Sequence, residues 1–387
     1  MSVQEETTLK DRLKAKRVQR LLRVALPLLI LAGMILGSAG VEKAQIASDT
    51  QSVYVKATVT EVLEDYTGGE AFSGSQKVMA TITSGEYKGR SCELVSPNTY
   101  QRGALCLAGT KVIALIQADQ DGVLQGSVYN YDRTAMVYFL VGLFALILVL
   151  VGGKKGAASL YALIFTVICI FCIYIPMLYA GCNGLSAAVL TAVVILVASI
   201  YILNGWSDKS LCAIVGTTIG VAISGLLAMA VGRASQLSGF NMTDVESMVY
   251  IANHTGLQVS NILYGGILIS SLGAVMDVSV SVVAAMREIH EKAPNLSAKE
   301  LFRSGMHVGH DMMGTMSNTL ILAYTGSATG VLLTVYSYEM PYLQIMGYNS
   351  IIIEIVSGLC GTIGVVLTVP VQALITTFVL KAKKTKG

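Results

Sequence analysis

This chain is poor in charge. Only 13% of its 387 residues are Asp, Glu, Lys or Arg, against roughly 25% in soluble domains, which excludes an ordinary soluble fold and a solvated disordered chain. Several catalytic signatures are also missing. There is no P-loop, so nothing in the chain itself points to ATP-driven work, and no H-E-x-x-H, G-x-S-x-G or thioredoxin motif. No segment interleaves basic with aromatic side chains, which argues against a nucleic-acid partner. No low-complexity linker and no nucleophile–base pair stands out, so an intramembrane enzyme ranks last among the function classes.

Apolar residues, by contrast, make up 53% of the chain, and mean hydropathy is +0.64. They cluster into runs of about 20 or more, the length that crosses ~30 Å of hydrocarbon as a helix. Eight such spans are expected: residues 21–38, 134–151, 157–180, 186–205, 211–231, 261–285, 312–337 and 351–380. Basic residues set the orientation. Lys10, Arg12, Lys14, Lys16, Arg17, Arg20 and Arg23 precede or enter the first span. Lys154, Lys155, Lys209, Arg287, Lys292, Lys299 and Arg303 fall in alternate loops, and Lys381, Lys383, Lys384 and Lys386 follow the last span, whereas the short loops opposite carry only Arg233. The positive-inside rule makes the first side cytoplasmic, with both termini inside. The basic start and LGSAG (36–40) also resemble a cleaved signal peptide, but the basic region is long, and a retained anchor is expected.

Residues 41–133 form the one sizeable polar stretch, placed outside the cell by the charge rule. VYVKATVTEVL, QKVMATITS, SCELVS, KVIALIQA and VLQGSVY are short, β-branched and often alternating. Five such strands suggest a small antiparallel barrel, OB-like, with a β-sandwich as the alternative. Cys92 and Cys106 both lie here, and a bridge and a pair of free thiols are equally open. Cys169 and Cys172 read C-I-F-C inside a span, where thiols behave as small hydrophobes. G-T-T-I-G (216–220) has the spacing that lets helix backbones approach closely. SGLCGTIGVV (357–366) resembles it, a short likeness built from common membrane residues.

The most informative stretch runs from Ser270 to Ser327. Ser270, Ala274, Asp277 and Ser281 share one helical face. Ser297 and Glu300 make an S-x-x-E capping box, and the helix it opens carries Ser304, His307, Asp311, Thr315 and Asn318 at intervals of three and four. Two antiparallel helices with facing stripes would enclose a hydrophilic cavity open to the cytoplasm. A charged residue costs roughly 2.5–3.5 kcal/mol on insertion, while inter-helix hydrogen bonds in membranes average only about 0.6 kcal/mol. That comparison favours a functional over a packing role for Asp277. Asp277 and Asp311 then bind a cation or exchange a proton, with Asn318, Thr315 and Ser270 as oxygen or amide ligands. His307 and His310, with Asp311, are weak metal candidates, since two histidines at a membrane edge are more often solvated.

SLGAVMDVSVSV, followed by ELFRSGMHVGHDMMGTMSNTLILAYTGS, resembles the YibE/F family of bacterial multi-pass membrane proteins, over roughly 130–380. The resemblance implies a bacterial plasma-membrane location and directs attention to Asp277, Asp311, Gly314, Thr315, Asn318 and Thr319. It also implies that a basic residue often stands in the place of His310, so a phosphate, other anion or interface contact there becomes more apt than a metal.

The expected fold is all-α and polytopic, about eight transmembrane helices with an extracytoplasmic β-barrel-like domain. Residues 1–40 form the anchor, 41–133 the outer domain and 134–387 a seven-helix membrane domain. The expected function is secondary transport of a small solute or ion, coupled to a proton or cation gradient, with no cofactor. The partners are the lipid bilayer and the solute, and small-residue faces admit a homodimer. The rival is a receptor or assembly module acting through the outer domain.

Overall fold

The computed structural model describes residues 32–33, 52–66, 74–98, 103–118, 124–242 and 245–384. The expected first span and the basic residues before it lie outside these, save residues 32–33. Two compact units are present, one within Gln45–Leu150 and one within Val151–Gly387.

In the first unit, β1 (Ser52–Asp65), β2 (Gly74–Ile82), β3 (Ser91–Asn98), β4 (Lys111–Ala118) and β5 (Leu124–Tyr131) close into a barrel of order β1-β2-β3-β5-β4. All pairs are antiparallel except β3–β5, which is parallel at 93–95 with 125–127. Closure rules out the sandwich alternative. The alternation read from the sequence is the pleat: Val55, Ala57, Val59, Val78, Ala80, Ile82 and Leu94 are at most 2% exposed. Two buried polar side chains hold residues 104–106 to the barrel. Ser96 Oγ accepts from Ala104 N at 2.9 Å, and Gln76 Oε1 accepts from Cys106 N at 2.7 Å. Cys92 and Cys106 are free thiols in this core, and burial pushes both thiol pKa values up.

A helix, α1 (Thr134–Cys169), follows the barrel. It is capped by Asp132, whose Oδ1 accepts from Thr134 N at 2.9 Å and whose Oδ2 lies 3.2 Å from Lys56 Nζ. Thr134, with Lys56 behind it, holds the Asp132 pKa below the usual carboxylate range. At Gly153 the backbone leaves helical geometry (φ 54°, ψ −132°). A π-turn (Ile170–Tyr174) and α2 (Ile175–Tyr179) continue the run, so two expected spans form one apolar stretch of 46 residues, Thr134–Tyr179.

The remaining elements are α3 (Gly184–Asn204), α4 (Asp208–Ala234), a short α5 (Val245–His254), α6 (Ile262–Lys292), α7 (Ala298–Ser327), α8 (Thr329–Ser337), α9 (Tyr342–Met346) and α10 (Asn349–Lys384). Helix starts are encoded locally. Asn183 and Ser207 cap α3 and α4, and the expected box forms at α7, with Glu300 Oε2 accepting from Ser297 N at 2.7 Å and Ser297 Oγ from Glu300 N at 3.2 Å. Among the described residues five helices are long and apolar enough to cross a membrane, or six if α7 and α8, bent by 61°, are one broken span. The expected count of eight is therefore reduced here, because the first span falls outside the described residues and two others are continuous.

The core of the second unit is the seam where α4, α6 and α10 meet. It is built at four-residue intervals. A Cβ on Gly216 would fall 1.7 Å from Gln372 Oε1, one on Gly220 1.9 Å from Thr368 Oγ1, and one on Gly364 2.6 Å from Ser224 Cβ. The G-T-T-I-G spacing is thus the slot that receives Thr368 and Gln372 of α10, while the related segment 357–366 meets α4 one turn further along, through Gly364 against Ser224. Ser224 Oγ completes the junction, 3.2 Å from both Ser271 Oγ and the Cys360 carbonyl. Helix α10 continues through Pro370.

Candidate functional site

Helices α6 and α7 run antiparallel from a short turn at 293–297. Their register is fixed at one end by Gly305 against the Met286 thioether and at the other by a 2.6 Å hydrogen bond between Ser270 Oγ and Tyr324 Oη. Seven residues along from Ser270 and seven back from Tyr324, Asp277 comes level with Ser317, beside Asn318.

Ser270 and Asp277 are exposed, on a face with Gly266 and Gly273. On α7 the buried positions are Leu301, Gly305 and Gly309, the last against Val369 of α10. Asp311, Gly314, Thr315, Asn318 and Thr319 are exposed on the other side. Helix α7 therefore turns its polar stripe away from the helices it packs on, and the two stripes do not close on each other within one chain. The Thr315 and Thr319 hydroxyls donate to carbonyls of their own helix, which leaves their oxygens as acceptors. Among the described residues the side chains of Asp277, Asp311 and Asn318 make no hydrogen bond or ion pair. His307 and His310 are exposed at the start of the same stripe, and no group of three His, Cys, Asp or Glu among the described residues is placed to hold a metal.

The structure adds a feature that the sequence reading passed over. At Ala328 the chain bends by 61° between α7 and α8. Beside the bend lies a pocket of about 250 Å³, mostly apolar, walled by Tyr324, Ala328, Leu332, Ile351, Glu354 and Gly358. Glu354 Oε2 is 3.5 Å from Ser327 Oγ, a long contact, and the Tyr324 ring lies against Gly358. Tyr324 thus links α6, α7 and α10 at the pocket wall, and Glu354 brings a carboxylate into apolar surroundings. Of the expected residues only Ser270 reaches this pocket's polar edge, through Tyr324. The clue in the sequence was the cluster YTGSATG (324–330), whose small residues and glycines interrupt an apolar run.

A helix broken inside the bilayer frees backbone groups that are tolerated only where protein or water meets them. Comparison with known proteins matches residues 140–382 to a family described as YibE/F-like protein. No curated protein and no solved structure matches the chain.

Proposed function

The chain belongs to the YibE/F-like family, and from that premise we propose that this membrane protein is a secondary transporter of a small solute or ion. The observation that carries the reading is the bent α7–α8 pair with a pocket holding the Glu354 carboxylate and the Tyr324 hydroxyl. Discontinuous helices recur at transporter binding sites, where half-helix ends and freed carbonyls meet the cargo. Asp277, two turns from Ser270, serves as the coupling carboxylate, and Asp311, Thr315, Asn318 and Thr319 line the route to the cytoplasmic end. The outward-facing stripe of α7 supports a homodimer, since a second copy would take Asp311 and Asn318 out of contact with lipid.

In this reading the break at Gly153 divides the 46-residue run into pieces of about 20 residues or more, each enough for a crossing. With residues 21–38, that restores eight crossings in a bacterial plasma membrane with both termini cytoplasmic. The strand order and the parallel β3–β5 closure support an OB-like assignment for the outer domain. An open hollow beside Arg90, Glu93 and Gln125 is the observation that favours the rival receptor role.

The test uses proteoliposomes loaded with a pH-sensitive dye and challenged with a panel of ions and small metabolites. Asp277→Asn is expected to insert normally and to lose all coupled proton movement. Unchanged flux removes the coupling role, and retained flux after deletion of residues 45–130 removes the receptor reading.

A further inference from the structure

At the end of the α4–α6–α10 seam, remote in sequence from the bend, a second pocket of about 220 Å³ opens between Lys209 and Cys212 of α4, Val283 and Arg287 of α6, and Thr376 of α10. Two cationic side chains converge on it, and the Glu291 carboxylate and His290 also line it. Arg287 Nε is held by Glu291 at 2.8 Å, a bond that leaves the outer guanidinium nitrogens for another acceptor. Thr376 lies 1% exposed in the wall. Its Oγ1 accepts from Gln372 Nε2 at 3.1 Å, which leaves its own proton to donate to another acceptor. Thr368 and Thr377 spend theirs on the carbonyl four residues back, at 2.6 and 2.8 Å.

The wall is backed by polar groups that the fold leaves unfilled. Gln372, fully buried, donates to the Cys212 carbonyl at 3.1 Å, while its Oε1 has no partner. Thr217 Oγ1 and Ser279 Oγ are also buried and without partners. Thr217 is five residues along from Cys212 and Ser279 four back from Val283, so both lie about one turn deeper in the seam than the pocket. Orphaned buried polar atoms are uncommon and call for an explanation. Gln372 ties this orphaned set to the pocket wall through Thr376, where Lys209, Arg287 and the Thr376 side chain stand.

We propose that this pocket binds a small oxyanion of the phosphate or carboxylate class, held by Lys209, Arg287 and the Thr376 hydroxyl. The charges anchor the anion at the mouth, and the hydroxyl reads an oxygen at the wall. The same chemistry is presented by a free anion and by a lipid headgroup phosphate. The site stands apart from the pocket at the bend and does not depend on the transport reading.

The chain's single tryptophan, Trp206, sits three residues before Lys209 and is exposed, so its fluorescence reports on this end of α4. The full chain in phosphatidylcholine nanodiscs is titrated with sodium phosphate against sodium chloride at matched ionic strength. A saturable Trp206 response to phosphate is expected, with affinity lowered at least about tenfold in Lys209→Ala and in Arg287→Gln and kept within about threefold in Lys209→Arg. Thr376→Val, similar in shape, is expected to weaken binding about fivefold at a temperature well below its thermal midpoint, which falls because the Gln372 bond is lost. In a second arm phosphatidylglycerol replaces part of the phosphatidylcholine and no phosphate is added. A response that grows with phosphatidylglycerol and is lost in Lys209→Ala assigns the anion to the lipid. A response to neither source, or one equal in the Lys209→Ala, Arg287→Gln double variant, overturns the proposal.

Discussion

The Tyr324 hydroxyl donates to Ser270 Oγ across 2.6 Å between α7 and α6. The direction follows from Ser270, whose own proton goes to the Ile267 carbonyl at 2.9 Å. One hydroxyl therefore holds the last turn before the Ala328 bend against the neighbouring helix. Tyr324→Phe keeps the ring against Gly358 and removes only this bond. A stability loss of about 0.6 kcal/mol is expected, the average for such bonds in membranes. Flux in proteoliposomes is expected to fall much further than that loss accounts for. Equal small effects on both would make Tyr324 a packing residue only.

Gly220 has no room to grow. A methyl group there would meet Thr368 Oγ1 and Val275 Cγ1 on two different helices. Gly220→Ala is expected to cost about 1–3 kcal/mol through overpacking, read as a lowered thermal midpoint in detergent. Gly273→Ala, at a glycine with open space around it, should leave the midpoint within error.

Asp132 makes the first unit sensitive to acid. Its pKa is lowered in the folded protein, so its stabilising contribution is present above the unfolded value, near 4, and is lost as pH falls through the folded value. Asp132→Ala is expected to cost about 1 kcal/mol at neutral pH, the usual worth of a helix cap. The difference from wild type should shrink below about pH 4. A gap that is constant down to pH 2 would refute the ionised cap.

The barrel thiols provide a check on closure. Cys92 and Cys106 are buried, and their raised pKa values keep them protonated at neutral pH. Neither should be labelled by a membrane-impermeant maleimide until denaturant is added. Rapid labelling of the native chain would contradict the packing around β2 and β3.

Where a segment's structure is decided by its own residues, the sequence was legible. The five strands follow from β-branched alternation, the α7 cap from Ser297 and Glu300, and the close approach of α4 from Gly216 and Gly220. Decisions made between helices were not legible. Periodicity showed that Asp311, Thr315 and Asn318 share a face, but not that the face looks outward, because Gly305 and Gly309 are smaller and win the contact with α6 and α10. The bend at Ala328 was hidden for a similar reason, since small residues serve equally for packing and for breaking a span. Gln372 passed unnoticed as one amide in an apolar run, although a lone amide at such a place must find partners.

The box formed by Ser297 and Glu300 has a mechanical consequence. It starts a rod of 30 residues, about 45 Å long, that runs unbroken to the bend. At that length, tilting the capped end by about 5° carries the far end through about 4 Å. A displacement at Lys299 and Arg303 of that kind would have to strain the Gly305–Met286 and Tyr324–Ser270 contacts before it altered the hollow beside Glu354.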